Sequence, residues 1–400
     1  MKNILKLLVL LISVILYSCE EKTLGPEVKD SQPPGVITIL SVTSMPGGLK
    51  VEYNLPSDKD LLYVKAVYTL AGGTTSEVKA SYYDNKLEIL GFGDTNEHTI
   101  TLYAVDRSEN LSAPVEVKGI PSKAPVKLIE ETMTITANFG GAQFEWINET
   151  EAPVSILIFA EDSIAGKLTN VQTVYTSQKN SRYTLRGYNP VPTKFAAIVR
   201  DRWDNFSDTV KPAAPYTLIP WEETALDKTI MGLLVLQNDT PWDAWGFQTE
   251  NAFDGDFLST AHTQGDHAWP QILTIDLGVV VQLSRIKIYQ RSPDYTPWLY
   301  THGNPKRYDL YGALALPDNT GDLSKWIKLR EECVSTKPSG DGPLTEEDIQ
   351  HAVSGDEYDC EPLEIRYFRF AVNETWDGAG FINFNEVSLW GSIKGKTHNK

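Results

Sequence analysis

Apolar residues run almost unbroken from Leu7 to Leu16, and the pattern then changes for the rest of the chain. That run is too short to cross a hydrocarbon core of roughly 30 Å as a helix. With Lys2 and Lys6 ahead of it, residues 1–18 read as a signal peptide and drop out of the fold. Beyond it, strand patterns recur at Gly35–Val42, Leu49–Leu55, Tyr63–Leu70, Lys86–Leu90, His98–Val105 and Val115–Ile120. They alternate apolar with polar positions or are rich in β-branched and aromatic residues, and turn residues separate them at short intervals. This spacing predicts a β-sandwich. Helical periodicity is scarce. Thr224–Leu234 carries apolar residues at mixed spacing, as a short helix or an irregular lead-in would. Thr345–Val353 reads as a short capped helix, with Thr345 at the N-cap and acids in the first turn.

The pattern also repeats. Thr101–Ser112 and Ala197–Ser207 each run as a strand, then Asp-Arg-x-x-Asn-x-Ser, then a second strand and a proline-rich exit. The repeated aspartates, Asp106 and Asp201, stand 95 residues apart, the size of one immunoglobulin-like or fibronectin-III-like sandwich. Asp and Asn favour such a turn because their side chains bond nearby backbone N–H groups, so both aspartates have a structural role. Two sandwiches are expected at 34–121 and 122–218, and a third domain at 219–393.

The third domain carries Asn251-Ala-Phe-Asp254-Gly255-Asp256, Trp269-Pro-Gln271-Ile-Leu-Thr-Ile-Asp276-Leu-Gly278 and Leu283–Arg291. Arg307–Gly312, Trp326, Arg366–Val372 and Asn385-Glu386-Val-Ser-Leu-Trp-Gly391 follow in that order. The succession resembles the discoidin, or coagulation-factor type C, domain over roughly 240–393, which implies an eight-stranded jelly-roll. The fold class expected of the whole is therefore all-β: two immunoglobulin/fibronectin-III-like sandwiches followed by a discoidin-like jelly-roll.

At the other end, Leu16-Tyr17-Ser18-Cys19 resembles a lipobox, in which Cys19 is acylated and becomes the mature N-terminus. Tyr17 departs from the strictest form of that pattern. Glu20 and Glu21 resemble the surface-export signal of Bacteroidota lipoproteins, and residues 19–33 read as a lipidated, flexible tether. Lipobox, two sandwiches and terminal module together resemble Bacteroidota lipoproteins assigned to the domain-of-unknown-function families 4959, 5126 and 5000. That resemblance implies a place among surface glycan-utilisation proteins, in the outer membrane and facing the cell exterior.

Charge narrows the partners. A formal net charge of −17 argues against nucleic acid or an anionic lipid surface and suits neutral ligands. Aromatics are plentiful, with 10 Trp and 18 Tyr. Trp242, Trp245, Trp298, Tyr300 and Trp376 lie among Pro, Gly and Asp, hence on loops, where flat rings suit the apolar faces of pyranoses. Burial over the barrel ends is the alternative for any one of them. The discoidin resemblance adds His262, Arg291 and Asn373 around such a platform, so the expected ligand-binding set is His262, Arg291, Trp298, Tyr300, Asn373 and Trp376.

Asp254 and Asp256 flank a glycine in a compact loop, and hard oxygen ligands there suit Ca²⁺. The same resemblance puts a late acidic residue, Glu386, with them around a structural calcium; a plain turn without metal is the alternative. Cys333 and Cys360 bracket an insertion, and in an exported chain they are expected to form a disulfide. Hydrolase signatures such as Gly-x-Ser-x-Gly and His-Glu-x-x-His do not occur, and no typical catalytic barrel fits beside these domains. The expectation is a non-enzymatic surface lipoprotein that binds glycan and works with other glycan-uptake proteins. The rival is an adhesion or structural lipoprotein making protein–protein contacts in an outer-membrane assembly.

Overall fold

The computed structural model describes residues 31–265, 267–291 and 298–394. The leader 1–18 and Cys19 lie outside the described residues. No helix among the described residues is long and apolar enough to cross a membrane.

The chain is almost entirely β. The first sandwich packs the sheet β1 (Thr38–Met45), β2 (Gly48–Asn54), β5 (Lys86–Leu90) on a second sheet. That second sheet runs in the order β4 (Thr75–Ser81), β3 (Leu61–Thr69), β6 (His98–Asp106), β7 (Val115–Gly119). Alternate residues Val64, Ala66 and Tyr68 of β3 meet Val51 and Ile89 from the facing sheet in one core, as period-two patterning requires. The second sandwich opens with a short helix, Pro125–Thr132. It then packs β12 (Asn180–Leu185), β9 (Gly141–Ile147), β8 (Thr134–Asn138) on β11 (Leu168–Thr176), β10 (Val154–Glu161), β13 (Phe195–Asp201). Phe144, Trp146, Ile156 and Val199 lie at its centre.

The sequence repeat is a repeat of hydrogen bonds. Asp106 Oδ1 accepts from Ser108 N and Asn110 N at 2.8 and 2.9 Å, and Asp201 Oδ1 accepts from Trp203 N and Asn205 N at 2.8 and 3.0 Å. Ser112 and Ser207 each accept from the strand residue eight positions back, Ala104 N and Val199 N. The two domains meet at this turn: Asn205 Nδ2 donates to Gly91 O at 3.0 Å. Gly91 has φ +109°, and a Cβ there would strike Trp203 at 3.0 Å, so glycine is required on both counts.

The terminal domain is a jelly-roll. It contains β14 (Thr224–Ala225), β15 (Gly232–Leu234), β16 (Ala261–His262), β17 (Gln271–Tyr289), β18 (Pro305–Ala313) and β19 (Ile327–Val334). After these come β20 (Asp356–Asp359), β21 (Glu364–Thr375), β22 (Asn383–Phe384) and β23 (Glu386–Ile393). The lead-in that sequence left open forms two short strands around a 3-10 turn, Lys228–Ile230. The long strand β17 serves two layers. Gln271–Asp276 pairs with β21, the register breaks, and Leu283–Tyr289 pairs with β23. An ionic joint seats this domain on the second sandwich. Glu223, nearly buried, accepts from Arg186 Nε at 3.2 Å and Arg285 Nε at 3.1 Å, while Arg186 Nη2 reaches Asp359 at 2.6 Å.

One expectation is corrected here. Cys333 and Cys360 are free thiols, not a disulfide. Both pack in the terminal core, where burial pushes each thiol up to about 12 and so keeps it protonated. The insertion between them is secured otherwise. Its helix, Glu346–Ser354, starts in a capping box between Thr345 and Asp348, and Asp348 also accepts from Ser339 N and Oγ.

Candidate functional site

Strand pairing brings one set of loops to one end of the terminal domain. β16 pairs with β22, the start of β17 with the end of β21, the start of β18 with Thr375, and Tyr289 with Glu386. The loops carrying Trp245, Arg291, Trp298, Trp376 and Phe381 therefore converge.

They form a stack of rings. His262 lies between Phe247, 5.8 Å away and tilted 7°, and Phe381, 5.2 Å away and tilted 20°. His302 meets Phe381 edge-on and stacks on Trp298 at 4.8 Å. The Arg291 guanidinium lies 4.4 Å from the Trp298 ring and 6.0 Å from that of Phe247, a cation–π bridge between the two ends of the stack. Trp298 is 37% exposed, and Trp245, in the turn that ends at Phe247, is 80% exposed. The backbone is shaped to present these rings. Trp245 has φ +60° and His302 φ +46°, a conformation that costs non-glycine residues energy. Hydrogen bonds hold the second turn: Asn383 N donates to Gly303 O at 3.0 Å, and Gly303 N to Asp377 Oδ1 at 3.0 Å. The result is a partly exposed aromatic surface with the half-buried His302 imidazole beside it and the buried Arg291 guanidinium bracing it, suited to a ligand that offers an apolar face and several hydroxyls.

The expected ligand set divides. Arg291 and Trp298 come together. His262 joins them but is buried, with Nδ1 on Thr263 O at 2.7 Å. Burial, with Arg291 and His302 nearby, holds its pKa below the ordinary imidazole value, so it packs as a neutral ring beneath the surface. Tyr300 and Trp376 are placed elsewhere. They meet edge-on at 5.3 Å and pack with Leu299, Ile349 and Ala352 of the inserted segment, and Tyr300 donates to Asp348 O at 3.2 Å. Asn373 lies on β21 and donates to Asp309 Oδ2 at 3.2 Å, within the sheet. Trp242, also a loop aromatic in sequence, is fully buried with Nε1 on Ile272 O. Phe247, His302 and Phe381 escaped the sequence reading, because each is a single ring in a loop with no periodicity to flag it.

The carboxylates read as calcium ligands also take other partners. Asp254 accepts from Asp256 N at 2.7 Å and Ser259 Oγ at 2.9 Å, Asp256 from Leu258 N at 2.9 Å, and Glu386 from Gly255 N at 2.7 Å. Glu386 Oε1 faces the ammonium of Lys228 at 2.9 Å. Among the described residues no three His, Cys, Asp or Glu side chains gather in one group, and the oxygens named here face backbone N–H groups, Ser259 and Lys228.

Against known proteins, residues 34–121, 122–229 and 240–391 match three successive domains of unknown function, DUF4959, DUF5126 and DUF5000. The SusE-like protein BT2857 is 31% identical, over 67% of this chain and 99% of that one, with a TM-score of 0.44. CBM32-3 from a family 31 glycoside hydrolase of Clostridium perfringens is 19% identical, over 42% of this chain and 95% of that one, at TM-score 0.32. A putative chitobiase fragment from Bacteroides thetaiotaomicron is 18% identical, over 44% and 96%, at TM-score 0.31. No curated protein matches the chain.

Proposed function

The chain belongs to the family of the SusE-like protein BT2857, and from that premise we propose that it is a carbohydrate-binding protein of the cell surface whose terminal domain holds the glycan. The observation that carries this reading is the ring stack that runs from Phe247 to Trp298, with the exposed Trp245 two residues ahead of Phe247. The exposed surface of Trp298 and Trp245 suits pyranose faces, the partly exposed His302 supplies a donor to hydroxyls beside Trp298, and Arg291, buried like His262, braces the Trp298 ring. His262, neutral and clamped between two phenylalanines, sets the height of the platform and makes no ligand contact. The role is capture and not turnover.

The N-terminus completes the proposal. Acylation at Cys19 anchors the chain in the outer membrane, Glu20 and Glu21 direct it outward, and the two sandwiches hold the terminal domain away from the lipid. The glycan is then passed to partner uptake proteins on the same surface. Affinity electrophoresis of the whole protein through a panel of neutral polysaccharides tests the binding reading. At least one polymer should retard the protein, and Trp298→Ala should release it; retardation by none would favour the adhesion reading instead. Cys19→Ser should move the protein from the membrane to the soluble fraction, and continued membrane association would refute the anchor.

A further inference from the structure

The loop Asp254–Thr260 is fastened to β23 by a cation that belongs to the chain itself. Glu386, the first residue of β23, is fully buried. Its Oε2 accepts from Gly255 N, and its Oε1 lies 2.9 Å from Lys228 Nζ. The same ammonium donates to Ser388 Oγ at 2.9 Å and sits 5.3 Å from the centre of the Phe257 ring. Lys228 reaches this position because Asp227 caps its 3-10 turn, through Thr229 N, and because β14 and β15 on either side pair with β23 and β17. The loop is further tied by Thr260 Oγ1 to Asn385 Oδ1 at 2.9 Å and by Asn385 Nδ2 to Phe257 O at 2.7 Å.

A buried carboxylate needs a positive partner. A divalent ion would meet that need with six to eight oxygens at about 2.3–2.6 Å. Here the neighbouring carboxylates Asp254 and Asp256 have turned their oxygens to backbone N–H groups and to Ser259. An ammonium already stands against Glu386, and an added cation beside it would meet like-charge repulsion. We infer that Lys228 is a built-in replacement for a divalent cation, so that the terminal domain closes its Asp254–Thr260 loop without metal. The charged groups around Glu386 are Lys228 and Asp254, with the Tyr289 phenol nearby. Burial pushes the Glu386 carboxyl up to about 7, and Lys228 opposes that rise. The role of the lysine is therefore greatest above neutral pH, where the carboxylate is charged.

Thermal unfolding of the whole protein, followed by tryptophan fluorescence, tests this. All of the ten tryptophans except Trp146 and Trp203 lie in the terminal domain. The midpoint of the unaltered protein at pH 8 should be the same in millimolar EDTA and in millimolar CaCl₂. Lys228→Met should lower it by about 10 °C at pH 8, the cost of stranding a buried charge, and by much less at pH 5, where Glu386 takes up a proton. Lys228→Met combined with Glu386→Gln should recover most of the loss, since an amide oxygen still accepts from Gly255 N without needing a cation. A midpoint that falls with EDTA or climbs with CaCl₂ in the unaltered protein would overturn the inference. So would a Lys228→Met loss of equal size at both pH values, which would mark a packing role alone.

Discussion

Two aromatic clusters share one end of the terminal domain and differ in what covers them. Phe247, His262, Phe381, His302 and Trp298 stack outward to solvent, with Arg291 laid across two of the rings. Leu299, Tyr300 and Trp376 pack inward against Ile349 and Ala352 of the helix Glu346–Ser354. Trp298 and Leu299 are neighbours in sequence and fall on opposite sides of that division. Residence on a loop therefore says little about exposure. An inserted helix some 50 residues downstream decides which rings remain available, and only the outer cluster has the surface for a ligand. The inner one fixes the loop from which the outer one projects.

The sharpest way to separate the two is Tyr300→Ala. Tyr300 is 7% exposed, touches Trp376 edge-on and donates to Asp348 O. Removing the ring should cost about 3–5 kcal/mol of stability, as buried aromatic-to-alanine changes do, and urea unfolding would read it directly. Any loss of glycan retention should follow the unfolded fraction. A variant of unchanged stability that no longer binds would move Tyr300 into the outer cluster and break the comparison.

Trp298→Ala is the converse. The outer ring should matter for binding and little for folding, with retention falling about tenfold, or roughly 1.4 kcal/mol, and stability changing by less than about 1 kcal/mol. Titration with the retarding polysaccharide and urea unfolding give the two numbers. Equal effects on both would mean the clusters are one unit.

Within the inner cluster a finer contrast is available. The indole N–H of Trp376 is buried with no hydrogen-bond partner among the described residues, whereas the Tyr300 hydroxyl has Asp348 O. Trp376→Phe deletes a donor that was already unpaired, so its cost should be confined to lost volume. Tyr300→Phe deletes a hydrogen bond to a carbonyl that keeps its place in the helix Glu346–Ser354, and should cost about 1 kcal/mol. Comparing both variants by chemical denaturation measures whether packing or hydrogen bonding holds the inner rings.

How much of this was legible in the sequence follows from the range of the interactions. Asp106 and Asp201 announced their sandwiches because an Asx turn is closed within four residues, and the motif carries its own hydrogen bonds. The jelly-roll was legible because strands such as Gln271–Tyr289 keep their pattern over many residues. Arg291 and Trp298 were found as loop residues of the right chemistry. Tyr300 and Trp376 were misplaced because their covering residues, Ile349 and Ala352, lie in an insertion with no counterpart in the motif pattern. Lys228 was missed for a similar reason: it sits in a lead-in of mixed spacing and meets Glu386 more than 150 residues away. For the thiols, spacing and compartment speak only to whether a disulfide is chemically allowed; in the structure Cys333 and Cys360 pack in one core as free thiols.

The smallest effect concerns His262, which belongs to the outer cluster by contact and to the interior by burial. Its folded pKa is lowered, first by burial and further by Arg291 and His302, against an ordinary value of 6.5. The native state then binds fewer protons than the unfolded chain between those two values. The contribution of His262 to stability is complete above pH 6.5 and is lost as pH falls from 6.5 through the lowered pKa. His262→Gln removes that titration while keeping a polar side chain beside Thr263 O. Unfolding free energies measured between pH 7 and pH 5 should thus fall slightly more for the unaltered protein than for His262→Gln, by a fraction of a kcal/mol at this partly shielded site. The pH dependence of glycan retention should be the same for the unaltered protein and for His262→Gln across that range, because a neutral ring under the platform offers the ligand no charge to lose. Retention that switches with the His262 titration would make it a ligand contact after all, and would extend the outer cluster one ring deeper than its burial indicates.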